Sequence, residues 1–232
     1  MEFTLLGAAL LGLASSWLAL RLERKEKPDR ALDRLIGAGV VGMLAGRLWA
    51  MISSGNNPLT HLGDVIIVRG GVDTGVASLA ALLSVGWSLR TRLHLLDGLA
   101  AAALAGLAGW QAGCLLRGTC LGTATELPWG VPLAGSTVGR HPVEIYTAFL
   151  LAIGAIVLVR TRLAPGAASG LAVAWAGAAR LVTQPMRPSL GAGPVLWYVA
   201  AVVVGLGVVT VTLGAGILGR SNHLPPPGHA KS

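Results

Sequence analysis

The chain has 232 residues, of which 53% are hydrophobic and 12% charged, against roughly 25% charged in an ordinary globular domain. So few charges cannot solvate a water-exposed surface, and the apolar residues come in long blocks, which excludes a soluble domain. The surplus of basic residues (net charge +8) crowds the ends of those blocks, where topology and anionic lipid place it. No basic stretch is interleaved with aromatics, so a nucleic-acid partner is excluded as well.

In chain order, the apolar runs predict spans at 3–21, 35–52, 72–89, 95–116, 144–160, 167–183 and 195–218. A span needs about 20 apolar residues, so the length holds about seven, an all-α polytopic membrane protein. The first run is followed by Leu22, Glu23, Arg24 and Lys25 rather than a small-residue cleavage site, which reads as a retained span. The third and fourth are rich in Ala and Gly, which favours close helix packing. One membrane domain, 1–219, is expected, with a Pro-rich polar tail at 220–232 that should be disordered.

Basic residues set the expected orientation. Arg21, Arg24, Lys25, Lys27, Arg30 and Arg34 follow the first span, Arg90 and Arg92 the third, Arg160 and Arg162 the fifth, and Arg220 and Lys231 the last. The alternation puts the amino terminus outside and the carboxyl terminus in the cytoplasm. Arg47, Arg69, Arg117, Arg140, Arg180 and Arg187 then fall in spans or on the outer side, contrary to what topology alone produces. An anionic ligand explains them, since a guanidinium holds phosphate bidentately.

Four outer stretches concentrate polar groups. Arg69, Gly70, Gly71, Asp73 and Gly75 enter the third span, as a tight membrane-entry turn or a close approach to ligand. Cys114, Arg117, Cys120 and Gly122 leave the fourth, followed by Glu126, Pro128 and Trp129 in a loop suited to the headgroup region. The two cysteines lack the neighbours of a zinc site, and a local disulfide requires an oxidising compartment. Arg140, His141, Glu144 and Tyr146 open the fifth span; they suit proton transfer or a cap with an interfacial tyrosine. Arg180, Gln184 and Arg187 close the sixth at i, i+4 and i+7, sharing one face if Pro185 only kinks the helix. They form an anion clamp or a pair of snorkelling arginines.

Taken in this order, the stretches resemble bacterial prolipoprotein diacylglyceryl transferases. The likeness runs from about Leu35 to Arg187 and includes Gly42 to Trp49, Gly70-Gly71, Leu95-Leu96-Asp97, Gly113-Cys114 with Gly118-Thr119-Cys120-Leu121-Gly122, Leu127-Pro128-Trp129-Gly130-Val131, His141-Pro142 with Tyr146, and Arg180 with Arg187. The resemblance implies transfer of the diacylglyceryl group of phosphatidylglycerol to the lipobox cysteine of a prolipoprotein, at the outer face of the bacterial inner membrane. Glycerol phosphate would leave, and no metal or organic cofactor is needed. Phosphatidylglycerol, the prolipoprotein signal peptide and membrane lipid are the implied partners. Substrate contact falls to Arg69, Gly70, Gly71, Gln111, Arg117, Gly122, Glu126, Arg180, Gln184 and Arg187.

Departures from the family pattern are specific. The histidine that usually follows the double glycine is missing from the shortened Val72-Asp73-Thr74-Gly75. An arginine position is Gln111, a glutamate position is Gln184, and an asparagine position is Cys114, a form also found among relatives. Asp73, His141 and Tyr146 are therefore the candidate catalytic groups, with Asp73 or His141 as the replacement base. Two other readings stand beside this one. A catalytically silent or altered-substrate relative would keep only the pocket for phospholipid or lipoprotein precursors. A small transporter would use Arg47 and Arg180 as pathway residues.

Overall fold

A computed structural model of the chain describes residues 2–23, 28–55, 72–89, 94–118, 120–132, 135–188 and 195–221. Seven long helices account for most of them: α1 Glu2–Glu23, α2 Pro28–Ser53, α3 Thr74–Leu89, α4 His94–Ala112, α6 Val143–Arg160, α7 Ala167–Thr183 and α8 Val195–Ser221. A short helix, α5 Cys114–Arg117, follows α4. Each predicted span has its helix, with ends displaced by a few residues. The expected tail, beyond Ser221, lies outside the described residues.

The segments Asp33–Ser53, Leu96–Leu116, Val143–Arg160 and Val195–Gly214 are long and apolar enough to cross a membrane, and Gly75–Trp87 is a shorter apolar helix. Leu82 and Leu83 on α3 and Val203, Val204 and Val211 on α8 are exposed. On a polytopic membrane protein such residues meet hydrocarbon, which also forces every backbone polar group to find its partner inside the chain.

Lipid tails are as apolar as leucine, so contact between backbones, rather than the hydrophobic effect, joins these helices. Helix α4 packs between α1 on one side and α6 and α7 on the other. Against α1 the approach is so close that a Cβ on Gly109 would run into the carbonyl of Leu11. Ser16 of α1 also donates to the Ala102 carbonyl at 3.0 Å. On the opposite face, Ala101 and Leu104 pack with Leu151 and Ala155 of α6 and Ala172 of α7 in the main core. Helix α3 pairs with α2, and α8 lies along α7.

One carboxylate fixes the end where α4 begins. Asp97 accepts the backbone N–H of Gly166 at 2.5 Å and of Ser169 at 3.0 Å, so it caps α7 from a neighbouring helix. The first N–H groups of a helix have no partner within it, and a carboxylate complements the positive end of the helix dipole. Asp97→Ala should lower unfolding stability by about 2 kcal/mol, read as an earlier thermal transition in detergent. An unchanged transition would mean that water replaces the cap at no cost.

At the other end, between α5 and α6, the chain folds into a small antiparallel sheet of β1 Leu121–Ala124, β2 Val131–Pro132 and β3 Gly139–Pro142, in the order β1-β3-β2. Leu121 pairs with Pro142, Ala124 with Arg140, and Val131 with Arg140 from the other side. The sequence suggests here a long outer loop folded against the headgroups. It is ordered instead because three short strands satisfy one another's backbone groups.

Candidate functional site

Four chain segments end together beneath this sheet: the last turn of α4, the first turns of α6, the last turn of α7, and the residues that follow it. Helix α7 stops at Thr183 and passes into a 3-10 turn, Gln184–Met186, after which Arg187 is extended at φ −89° and ψ 141°. The expectation of one kinked helix face over Arg180, Gln184 and Arg187 is thus corrected. Pro185 has no N–H to give and its ring collides with the preceding turn, so the α-helix ends there. The two arginines still converge, because the turn swings Arg187 back toward α6.

They meet on Glu144, in the first turn of α6. Arg187 donates to both carboxylate oxygens, from Nη1 at 2.6 Å and from Nη2 at 3.3 Å. Arg180 Nη1 lies 3.7 Å from Glu144 Oε2. Gln111 completes the group from α4: in the amide orientation that satisfies both ends, its nitrogen donates to Glu144 and its oxygen accepts from Arg180. Gln111 is 5% exposed, so an amide there has to find both partners inside the protein. The charged side chains are more open, at 27% for Arg180, 21% for Arg187 and 19% for Glu144. The cluster is therefore partly open to its surroundings.

Behind it runs a hydroxyl chain. Arg187 Nη2 donates to Thr147 Oγ1 at 3.2 Å, and the hydroxyls of Thr147 and Thr183 lie 3.1 Å apart. Thr183 in turn reaches the Ala179 carbonyl at 3.0 Å. Both threonines are fully buried. Oxygens that can accept at the back and donate onward hold the Arg187 fork in one plane.

Also at the start of α6, Trp129 Nε1 donates to the Tyr146 hydroxyl at 2.8 Å. The same hydroxyl lies 3.5 Å from His141 Nδ1, with the rings edge to face and their centres 6.1 Å apart. With the indole as a fixed donor, the phenol has its own proton to offer His141 when Nδ1 is unprotonated.

The sheet supports these positions. A Cβ on Gly122 of β1 would strike the Met186 carbonyl and the Val143 side chain, so only glycine lets β1 lie on the 3-10 turn. Thr123 Oγ1 donates to the same Met186 carbonyl at 3.3 Å, and Arg140 Nη1 donates to the Gly122 carbonyl at 3.3 Å. Cys114 and Cys120 are joined as a disulfide, which ties α5 to the start of β1 just past Gln111. Closing so short a loop restricts the unfolded chain by about 2 kcal/mol. A Cys114→Ser, Cys120→Ser pair should melt earlier by that amount in detergent, and an identical melting curve would deny the bridge any structural part.

Of the sequence-predicted residues, Gln111, Arg180 and Arg187 are brought together on Glu144, His141 and Tyr146 form a separate group with Trp129, and Gly122 packs on Met186 and Val143. Gln184 begins the 3-10 turn, and its carbonyl accepts the Arg187 N–H at 3.0 Å. Glu126 is exposed in the loop between β1 and β2. Asp73 stands at the α2–α3 junction: its Oδ1 accepts the Val76 N–H at 2.8 Å, and its own N–H donates to the Gly46 carbonyl at 3.1 Å. That is a helix N-cap. Arg47 is buried in α2. Arg69, Gly70, Gly71 and the Arg117 side chain lie outside the described residues. The sequence suggested Glu144 only for proton transfer or a cap and Trp129 only for the headgroup region, and it gave no signal for Thr147 or Thr183.

Comparison with known proteins identifies what the chain is similar to. The family model described as prolipoprotein diacylglyceryl transferase matches residues 3–219. The phosphatidylglycerol–prolipoprotein diacylglyceryl transferase of Wolbachia sp. subsp. Brugia malayi is 29% identical over 200 residues, covering 78% of this chain and 75% of its own. That of Cereibacter sphaeroides is 30% identical over 213 residues, covering 78% and 73%.

Proposed function

Because the chain belongs to the prolipoprotein diacylglyceryl transferase family, we propose that it moves the diacylglyceryl group of phosphatidylglycerol onto the lipobox cysteine of a prolipoprotein. The observation that carries this reading is the convergence of Arg180 and Arg187 on Glu144, at the same end of α6 as the Trp129–Tyr146–His141 group. The reaction asks for the same two things: cations on a phosphate and a proton acceptor near a thiol.

In this mechanism the free N–H groups of Arg180 and Arg187 hold the phosphodiester. His141, through the Tyr146 hydroxyl, accepts the thiol proton. The thiolate attacks the terminal glyceryl carbon, a C–S bond forms as the C–O bond to phosphate breaks, and glycerol phosphate leaves with its new charge facing the arginines. Preorganised donors aimed at developing charge are the largest contribution an enzyme of this type can make. Asp73, engaged as a helix cap, is left out of the chemistry.

On this reading the site works at the outer face of the bacterial inner membrane, with the amino terminus outside and the carboxyl terminus in the cytoplasm. Two features support that orientation. The Cys114–Cys120 disulfide belongs at the oxidising side, at the Gln111 end of α4. Arg160 and Arg162 lie at the other end of the bundle, where cytoplasmic positive charge belongs.

A second reading has its own support. Glu144 already engages both arginines, as it would in a relative that binds phospholipid without transferring from it. Transfer of labelled diacylglyceryl to a lipobox peptide by the purified protein in detergent separates the two, with an active family member as control. Transfer supports the enzyme. Phosphatidylglycerol binding without transfer, while the control works, supports the silent relative.

A further inference from the structure

We propose that Glu144 is a specificity-determining residue: it holds the arginine pair at a net charge of +1, so the site accepts a singly charged phosphodiester and rejects a doubly charged phosphomonoester. The inference rests on the phosphate-binding reading above and concerns which phosphate the site takes.

The charges in direct contact are two guanidiniums and one carboxylate, and Gln111 adds none. Glu144 does not exhaust the donors around it. Each guanidinium has five N–H groups. The carboxylate takes two bonds from Arg187 and lies within ion-pair distance of one Arg180 nitrogen. Thr147 takes a third from Arg187, the Gln111 oxygen takes one from Arg180, and Arg187 Nε is enclosed out of an anion's reach, which leaves one Nη1 N–H of Arg187 and the remaining Arg180 N–H groups. A phosphate can therefore bind alongside Glu144, and the carboxylate charge stays in place while it does.

A phosphodiester of charge −1 brings such a site to neutrality. A phosphomonoester, whose second ionisation lies near pH 6, brings it to about −1 and faces an adjacent carboxylate. Uncompensated charge is costly where water is scarce. At an effective dielectric of about 20 and separations of a few ångström, one extra charge changes affinity by tenfold or more. The leaving group of the proposed reaction is itself a phosphomonoester. The carboxylate that admits the lipid would therefore also expel the product, which two unopposed arginines would retain.

The test uses the purified full chain in detergent at pH 8 and measures binding of three short-chain lipids by calorimetry: phosphatidylglycerol, phosphatidylmethanol and phosphatidate. Phosphatidylmethanol is a singly charged diester without the glycerol headgroup, so its comparison with phosphatidate isolates charge. The unaltered protein should bind phosphatidylmethanol at least tenfold more tightly than phosphatidate. Glu144→Gln should shift that ratio at least tenfold toward phosphatidate and tighten glycerol phosphate, while Glu144→Asp should keep it within threefold. Equal or tighter binding of phosphatidate by the unaltered protein overturns the proposal without any variant. A ratio unmoved in Glu144→Gln, with both lipids still bound, overturns it too. Failure of the unaltered protein to bind any of the three would instead bring down the phosphate-binding reading on which it stands.

Discussion

Arg187→Ala should lower diacylglyceryl transfer at least a hundredfold and leave a residual rate that higher phosphatidylglycerol concentrations do not restore. The guanidinium makes the forked contact to Glu144 at 2.6 and 3.3 Å and a third bond to Thr147, so its removal has two effects. The transition state loses a donor at the phosphate, a loss typically on the order of 100- to 1000-fold. Glu144 is also left with Arg180 and Gln111 as its only close partners in the cluster, and it would swing toward Arg180 and neutralise the remaining cation. Arg187→Lys should recover little, because an ammonium cannot present two parallel bonds in one plane. Single-turnover transfer rates at saturating lipid measure this, with melting temperature as the check on folding. Stability should also fall, by about 1–3 kcal/mol, because the pair is partly open to solvent and loses less than a fully buried one. An Arg187→Ala protein that transfers at the normal rate would remove the arginine pair from the mechanism.

The helices were legible because hydrocarbon imposes a length and an apolarity that sequence displays directly. Arg180 and Arg187 stood out on the same ground, since charge in such a setting demands a reason. Their true geometry did not follow, because whether Pro185 kinks or ends a helix depends on what waits beyond it. Here the Met186 carbonyl is met by Thr123 of β1, and β1 can lie there only because residue 122 is glycine. Glu144 was legible as a carboxylate opening α6, but not as the partner of the two arginines. Its partner Arg187 is 43 positions away, and no local spacing announces a contact made between two helices and a turn. Asp73 went the other way: a carboxylate beside glycines invites a catalytic reading, yet an acidic residue just before Thr74–Leu89 is also what a helix start requires. The chain used it for that.

Tyr146→Phe should lower transfer on the order of 100- to 10,000-fold, the span general acid–base groups usually contribute, while phosphatidylglycerol binding changes little. The hydroxyl is the one atom common to Trp129 at 2.8 Å and His141 at 3.5 Å, and phenylalanine deletes it while filling the same space. Trp129→Phe should cost less, because the indole N–H only fixes the direction of the phenol; water can take its place at an exposed residue. His141→Ala should match Tyr146→Phe, and the double variant should be scarcely worse than either, since groups acting as one unit lose their effect once. That non-additivity is the informative result. If the two losses multiplied instead, His141 and Tyr146 would act independently, and a single proton path through the phenol would be the wrong account of how the thiol is activated.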